Sequence, residues 1–410
     1  MSVSGVEVLI VGAGPAGAAL GLELARRGRD VLIVERAQFP RDKPCGDCVN
    51  PGAVAELERL GVAGRLRERL APGQLRGWHV EAPDGRGFRA AFGEGDEGHT
   101  LDGWAVRRRD FDAALLEEAR RLGARVCFGM RVYDVLRAGE RVAGVAGRQG
   151  TASREARARF VVGADGLRSV VQRRLGLARR PPRLRKIALV GHLAGSDRDP
   201  GFGELHVRGR RTCGYVALPG GGNVTVVISQ DEARAIGGAP RDFLSEALSR
   251  FPRVWARVSE CGLEQDVMVT GPFDRPVRRP WSPGAILVGD AAGYYDPFTG
   301  QGIYQALRSA RLAAEAIDAA LSDPGEERGA LRRYGRRMRI EFGPKRGLQR
   351  VIEAAVSRPG VMSRCVAALS QREGVAARRL LRATGDLAHP ATVLDPQLWL
   401  LTFLSTTHDR

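Results

Sequence analysis

The chain has 410 residues, 43% hydrophobic and 27% charged, too long for one ordinary core and too apolar for disorder. Lys+Arg 64 against Asp+Glu 47 gives a formal net charge of +17, so the surface attracts anions; nearly all of that charge is arginine, the lysines being Lys43, Lys186 and Lys345. No apolar run reaches the roughly 18 residues that a spanning helix needs, which argues against an integral membrane protein.

The first apolar run, residues 6–11, leads into Gly12-Ala13-Gly14-Pro15-Ala16-Gly17 and then an Ala/Leu-rich helical stretch ending near Arg27-Gly28. A second run, 31–34, stops at Glu35. Wholly apolar strands around a helix suit a parallel sheet covered on both faces. The N-terminus carries no basic segment followed by an apolar run and a cleavage site, so the expected compartment is the cytoplasm. Runs 160–162 and 285–288 repeat the strand character, each followed by Gly and Asp. Between them, 73–100 is rich in Gly and charge, and 181–280 contains alternating stretches at 215–218 and 224–228 that suit antiparallel strands with one buried face. After Gly302 the chain turns helical and Arg-studded.

The Gly-rich turn follows a strand, opens a helix, and has an acid at the end of the next strand about 20 residues on. Gly12 permits the tight turn, Gly14 lets backbone N–H groups approach a pyrophosphate, and Gly17 allows close helix–sheet packing. Pro15 and Ala16 start a helix whose N-terminus is electropositive, and Glu35 can accept hydrogen bonds from ribose hydroxyls. A dinucleotide is therefore expected, although this unit alone does not separate FAD from NAD. Six cysteines are scattered too sparsely for a disulfide scaffold, and the one C-x-x-C pair, Cys45 and Cys48, lacks the companions of a zinc site. The histidines show no ligand spacing; His192 and His206 fall where a substrate pocket is expected. Aromatics are 6%, and the runs Arg179-Arg180, Arg278-Arg279 and Arg332-Arg333 are dispersed in sequence, which argues against nucleic acid and reads as compositional background.

Two further stretches, Gly163-Ala164-Asp165-Gly166 and Gly289-Asp290 continuing through Pro297-Phe298-Thr299-Gly300-Gln301-Gly302-Ile303, resemble the motifs of the large FAD-dependent family of aromatic hydroxylases, flavin halogenases and geranylgeranyl reductases. The resemblance implies FAD, with Asp290 on the ribityl chain and the helix after Gly302 facing the pyrimidine edge of the flavin. Amide donors and a helix dipole there would stabilise negative charge on reduced flavin. Arg108 matches the family's Arg beside FAD; Arg36, Val132, Asp165 and Gly166 complete the expected cofactor set.

Phe39-Pro40-Arg41-Asp42-Lys43-Pro44-Cys45-Gly46-Asp47 looks like the geranylgeranyl-reductase branch, including menaquinone-side-chain reductases, in which a Cys-Gly pair lies close to the flavin. Cys45 is expected to protonate substrate or shape the pocket, Gly46 to sit beside it, and Lys43 to supply positive charge to FAD or to an anionic head group. A redox disulfide between Cys45 and Cys48 is the minor alternative. The strand Cys213-Gly214-Tyr215-Val216-Ala217-Leu218-Pro219 keeps the branch's Gly, Tyr and Pro but loses its Trp and Phe, and the halogenase Trp-x-Trp-x-Ile-Pro signature is missing. Tyr215 is taken as a second catalytic candidate. The expected protein is α/β: a discontinuous Rossmann-type FAD domain (1–72, 101–180, 281–340), an inserted antiparallel-sheet substrate domain (73–100, 181–280) and a helical C-terminal region (341–410). Its expected reaction is hydride transfer from reduced flavin to a carbon–carbon double bond of a small apolar isoprenoid- or polyketide-type substrate, with NAD(P)H as transient reductant. The alternative is an NAD(P)H- and oxygen-dependent monooxygenase or halogenase acting on an aromatic or polyketide intermediate. Trp399, Leu400, Leu401 and Phe403 suggest peripheral attachment to a membrane.

Overall fold

A computed structural model describes residues 3–93, 101–195, 201–264, 266–371 and 374–393. The first apolar run becomes the strand Val3–Val11, flanked in parallel by Val31–Glu35 and by Ala152–Gly163, so that Ile10 lies in register with Ile33 and Val162. The sheet has eight strands: Arg125–Phe128 extends it on one side, Ala285–Leu287 and Trp281–Ser282 on the other, and the hairpin Met130–Ala138/Arg141–Gln149 joins antiparallel to Ala152–Gly163. Val8, Leu9 and Ile10 are fully buried, each side chain worth about 1.5–3 kcal/mol of transfer free energy. The helix Pro15–Arg26 packs on the sheet between Gly302–Ser322 and Arg108–Arg121, burying Leu20, Leu22 and Leu24.

A second, seven-stranded sheet runs Met268–Thr270, Lys186–Ala194, Gly221–Ser229, Arg211–Leu218, Phe202–Arg208, Gly77–Glu81, Gly87–Ala91; every pairing is antiparallel except that of Phe202–Arg208 with Gly77–Glu81. Stretches far apart in sequence thus build one sheet. Its side chains alternate between two faces. Leu189, Cys213, Tyr215, Val224, Val226 and Ile228 point outward and pack with Leu244, Leu248, Phe251 and Val254 of the helices Pro240–Ser249 and Pro252–Cys261. The opposite face looks toward the first sheet. A small sheet of Cys48–Val49, Gly103–Ala105 and Gly73–Leu75 lies at the seam.

The boundary expected at 340/341 does not exist as a break. The helix Glu327–Val356 runs straight through it and holds Pro344 in its interior. Beyond it, Pro359–Leu369 and Val375–Thr384 fold back on the hairpin of the second sheet, where Met362, Val366 and Leu381 cover Val80, Phe88 and Phe92. Among the described residues no helix is long and apolar enough to cross a membrane. Trp399, Leu400, Leu401 and Phe403 lie outside the described residues.

Candidate active site

The turn after Val3–Val11 is shaped by backbone contact. Gly12 takes φ +104°, and a Cβ on it would stand 2.6 Å from the Ala164 carbonyl oxygen; a Cβ on Gly17 would stand 1.9 Å from the Gly12 oxygen. Gly14 caps the helix Pro15–Arg26 without a side-chain hydrogen bond, leaving first-turn N–H groups free for a phosphate. Glu35 is buried and braces the turn, its two oxygens accepting from the Ala13 and Ala37 amides, each at 2.9 Å. Each oxygen keeps a second lone pair for a hydroxyl. Arg36 is exposed beside it, and Val132 is buried in the core of the first sheet; neither reaches the cavity described next.

A cavity of about 220 Å³ lies where the carboxyl ends of the parallel strands meet the second sheet. Gly14, Pro15, Ala16, Lys43, Cys45, Gly46, Arg108, Gly166, Gly289, Asp290, Pro297, Gly300, Gly302 and Ile303 all line it, so most of the expected site converges. Arg108 grips Asp112 with two hydrogen bonds of 2.7 and 2.9 Å. Burial alone would lower its affinity for the proton, but the Asp112 carboxylate outweighs that, and a contact with Cys45 adds to it, so the guanidinium holds its charge well above the ordinary range. Arg41 also bonds Asp112, at 3.3 Å, and lies over the Phe39 ring. Burial and then Arg108 push the Lys43 ammonium down, while Asp290 opposes them; burial pushes the Asp290 carboxyl up, against Lys43 and Arg108. This floor is polar and carries charges of both signs.

Cys45 and Cys48 are both free thiols. The Cys48 sulfur stands 3.5 Å from where a Cβ on Gly300 would be, and burial, with the charges of Cys45 and Asp47, pushes its thiol far above the ordinary value. Cys48 thus lines the cavity as a protonated thiol packed against Gly300. Asp165 accepts from the Val170 amide at 2.6 Å through Oδ2, while Oδ1 is buried with no partner. Gln301 stands at the start of Gly302–Ser322 but turns its side chain away from the cavity, donating to Asp386 Oδ1 at 2.7 Å. Asp386, with no exposed side-chain surface, also takes Asn50 at 2.7 Å and Lys345 at 2.6 Å, tying the C-terminal helices to two helix starts.

Tyr215 is not in the site. In Arg211–Leu218 it is Thr212, Gly214 and Val216 that face the cavity, and the alternation sends Tyr215 into the outer core, with Arg257 4.7 Å over its ring. His206 lies on that outer face too, bonded to Glu204 at 2.8 Å. His192 points inward but serves as a strut. Its Nε2 lies 2.6 Å from Asp47 Oδ2, which also accepts from Asn223 at 2.8 Å, while Asp47 Oδ1 accepts from the Arg108 amide at 2.9 Å. Asn223 in addition donates to the Cys45 carbonyl at 2.8 Å. Asp47, in the left-handed region at φ 52°, therefore pins the Cys45-Gly46 loop to the second sheet. Sequence inspection met Asp47 only as the end of the Cys-Gly motif, without a role, and missed Asn223. Tyr294 lines the cavity edge-on to Phe273 at 5.9 Å. Among the described residues no group of His, Cys, Asp or Glu could hold a metal.

Residues 5–340 match the FAD binding domain family. The chain belongs to that family. It is similar to the menaquinone reductase of Mycolicibacterium smegmatis, 34% identical over 76% of each chain, and to the digeranylgeranylglycerophospholipid reductase of Methanothrix thermoacetophila, 30% identical over 82% of this chain and 84% of that one. In fold it resembles a geranylgeranyl bacteriochlorophyll reductase-like protein of Thermoplasma acidophilum (TM-score 0.79, 23% identity, 96% and 99% covered) and the myxobacterial chondrochloren halogenase (TM-score 0.78, 23% identity, 100% and 91% covered). The residues present fit FAD: a turn in which a Cβ on Gly12 or Gly17 would strike backbone, uncapped N–H groups at a helix start, a braced Glu35, and an orphan Asp165 oxygen.

Proposed function

We propose that the protein is an FAD-dependent reductase that saturates a carbon–carbon double bond of an apolar, isoprenoid-type substrate. The observation that carries this reading is the roof of the cavity, mostly apolar: Ala188, Val190, Leu205, Val216 and Val227 of the second sheet, interspersed with the hydroxyls of Thr212, Thr225 and Thr270 and the Asn223 amide, face the polar floor of Lys43, Cys45 and Asp290. Such a wall recognises its ligand by shape and desolvation, as an alkyl chain requires. When bound, FAD supplies the two-electron step, accepting hydride from a donor, NAD(P)H in this reading, and delivering it to carbon. The chain's own residues hold the proton for the other carbon. Burial pushes the Tyr294 phenol well above its ordinary range, so it stays protonated at the cavity wall and can donate; Cys45, with the Arg108 charge beside its sulfur, is the second donor within the cavity. Asp47, His192 and Asn223 position that loop.

The similarity to reductases at 30–34% identity supports this chemistry, whereas the fold is shared with a halogenase and does not choose. An apolar substrate also makes attachment to a bilayer surface part of the proposal. The test is turnover without oxygen, read as product mass. A gain of two hydrogens is expected with a polyprenyl acceptor and NAD(P)H. Strict dependence on oxygen, with oxygen or halogen in the product, overturns the reading in favour of a monooxygenase or halogenase.

A further inference from the structure

Behind the Gly289–Ala292 turn lies a second cleft, of about 520 Å³, that the reductase reading does not use. One wall is the helix Glu327–Val356, which presents Arg332, Arg336, Arg339 and Arg346 along a single face at intervals of four, three and seven residues. The other wall brings Arg179, Arg278 and Arg279, held by the bridge between Ala178 and Val277 and by the bonds from the Arg179 amide to Pro276 and from the Arg278 amide to Leu177, both 2.9 Å. Glycine keeps the helix close: a Cβ on Gly335 would stand 2.8 Å from the Trp281 indole nitrogen. Trp281 stacks with Arg279 at 4.8 Å.

No carboxylate lines this cleft, and among the described residues none of these seven arginines meets one. Six of the seven are exposed at the cleft rim and Arg346 is half-buried, whereas Arg108, Arg308 and Arg180 each meet a carboxylate, Asp112, Glu341 and Asp274. The Arg346 Nε is buried without a partner, and burial, then the nearby Arg350, depress that guanidinium below its ordinary value. Seven like charges facing one concavity repel one another until an anion enters. Guanidinium forks suit phosphoryl oxygens above other anions, because they bond them in pairs and stay charged. The volume is that of a small-molecule site rather than a chloride site.

From this geometry we infer that the cleft is a binding site for a ligand carrying phosphoryl groups, either a free phosphate compound or the phosphate head group of a lipid. Arginines dispersed in sequence converge here, so this part of the charge is an assembled site.

The test uses the flavin-loaded full chain and inorganic pyrophosphate, followed by calorimetry and by the thermal midpoint. Saturable binding and a raised midpoint are expected. The double variant Arg336→Gln/Arg346→Gln should bind about 10- to 100-fold more weakly, and melt higher than the parent without ligand because repulsion is relieved. Arg179→Gln, from the opposite wall, should weaken binding in the same direction if the double variant does not fold. Arg333→Gln/Arg337→Gln, which removes charges of the same helix that pair with Glu326 and Glu315, should leave binding unchanged. Pyrophosphate binding without retention on phosphatidylglycerol vesicles assigns a free phosphate compound. Retention on those vesicles but not on phosphatidylcholine, lost in Arg336→Gln/Arg346→Gln, assigns a lipid head group. Failure of the parent to bind either probe, or equal weakening by the control pair, overturns the inference.

Discussion

The two walls of the cavity are made differently. The first sheet meets it largely with backbone: a Cβ on Gly12 or Gly17 would strike main chain, a Cβ on Gly289 would stand 2.9 Å from the Ala16 side chain, and Gly300 takes a φ of +66° that favours glycine. The second sheet meets it with side chains, every other residue of its central strands. A backbone-built wall tolerates few sequences, because a glycine at a close approach has no substitute. A side-chain wall tolerates many, because any apolar group of suitable volume fills it. The cofactor end is therefore rigidly specified and the substrate end is free to diverge.

The largest effect should come from the backbone wall. Gly17→Val drives a side chain into the Gly12 carbonyl, and the protein should lose its flavin absorbance and at least about 3 kcal/mol of stability in chemical denaturation. If flavin is retained, the contrast between the walls fails. At the seam, Asp47→Ala strands His192, Asn223 and the Arg108 amide; a loss of about 3 kcal/mol is expected, with weaker flavin binding by fluorescence titration. The buried loop beside the cavity offers a pH test. Burial raises the Asp296 carboxyl to about 6, so the native state favours its neutral form. Its stability contribution is full below the unfolded value of 3.8 and is lost as pH rises through about 6. Asp296→Asn should thus gain on the parent by up to about 3 kcal/mol at pH 8 and by almost nothing at pH 3, measured by denaturant titration at both. The smallest effects separate the two faces of the side-chain wall. Val216→Phe should raise KM about 10-fold for a bulky substrate and leave flavin affinity unchanged, whereas Tyr215→Phe should leave turnover as it is. A slowed Tyr215→Phe enzyme would return that residue to the site.

What could be read from sequence follows the same division. Gly12, Gly14 and Gly17, the apolar parallel strands and the Gly289-Asp290 turn were legible because local backbone geometry dictates those residue types. Tyr215 misled because a strand's alternation tells which residues share a face, and the face that meets the cavity is decided by the distant helices Pro240–Ser249 and Pro252–Cys261. Asp47 was invisible as a strut because its partners lie 145 and 176 residues away. The arginine cleft was hidden likewise: its walls come from three segments whose charges look scattered until the helix and the loop at Val277 are brought together.

The bond between Asn50 and Asp386 joins positions 336 residues apart, and Asp386 also holds Gln301, at the start of the helix that faces the cavity. During synthesis the Gly-rich turn can form early, yet that helix start stays unclamped until Asp386 has emerged. The family-matched segment ends at residue 340, so a fragment cut there would keep the nucleotide cradle and lose the clasp. The shape of the cavity thus depends on a residue, Asp386, that the matched segment does not contain.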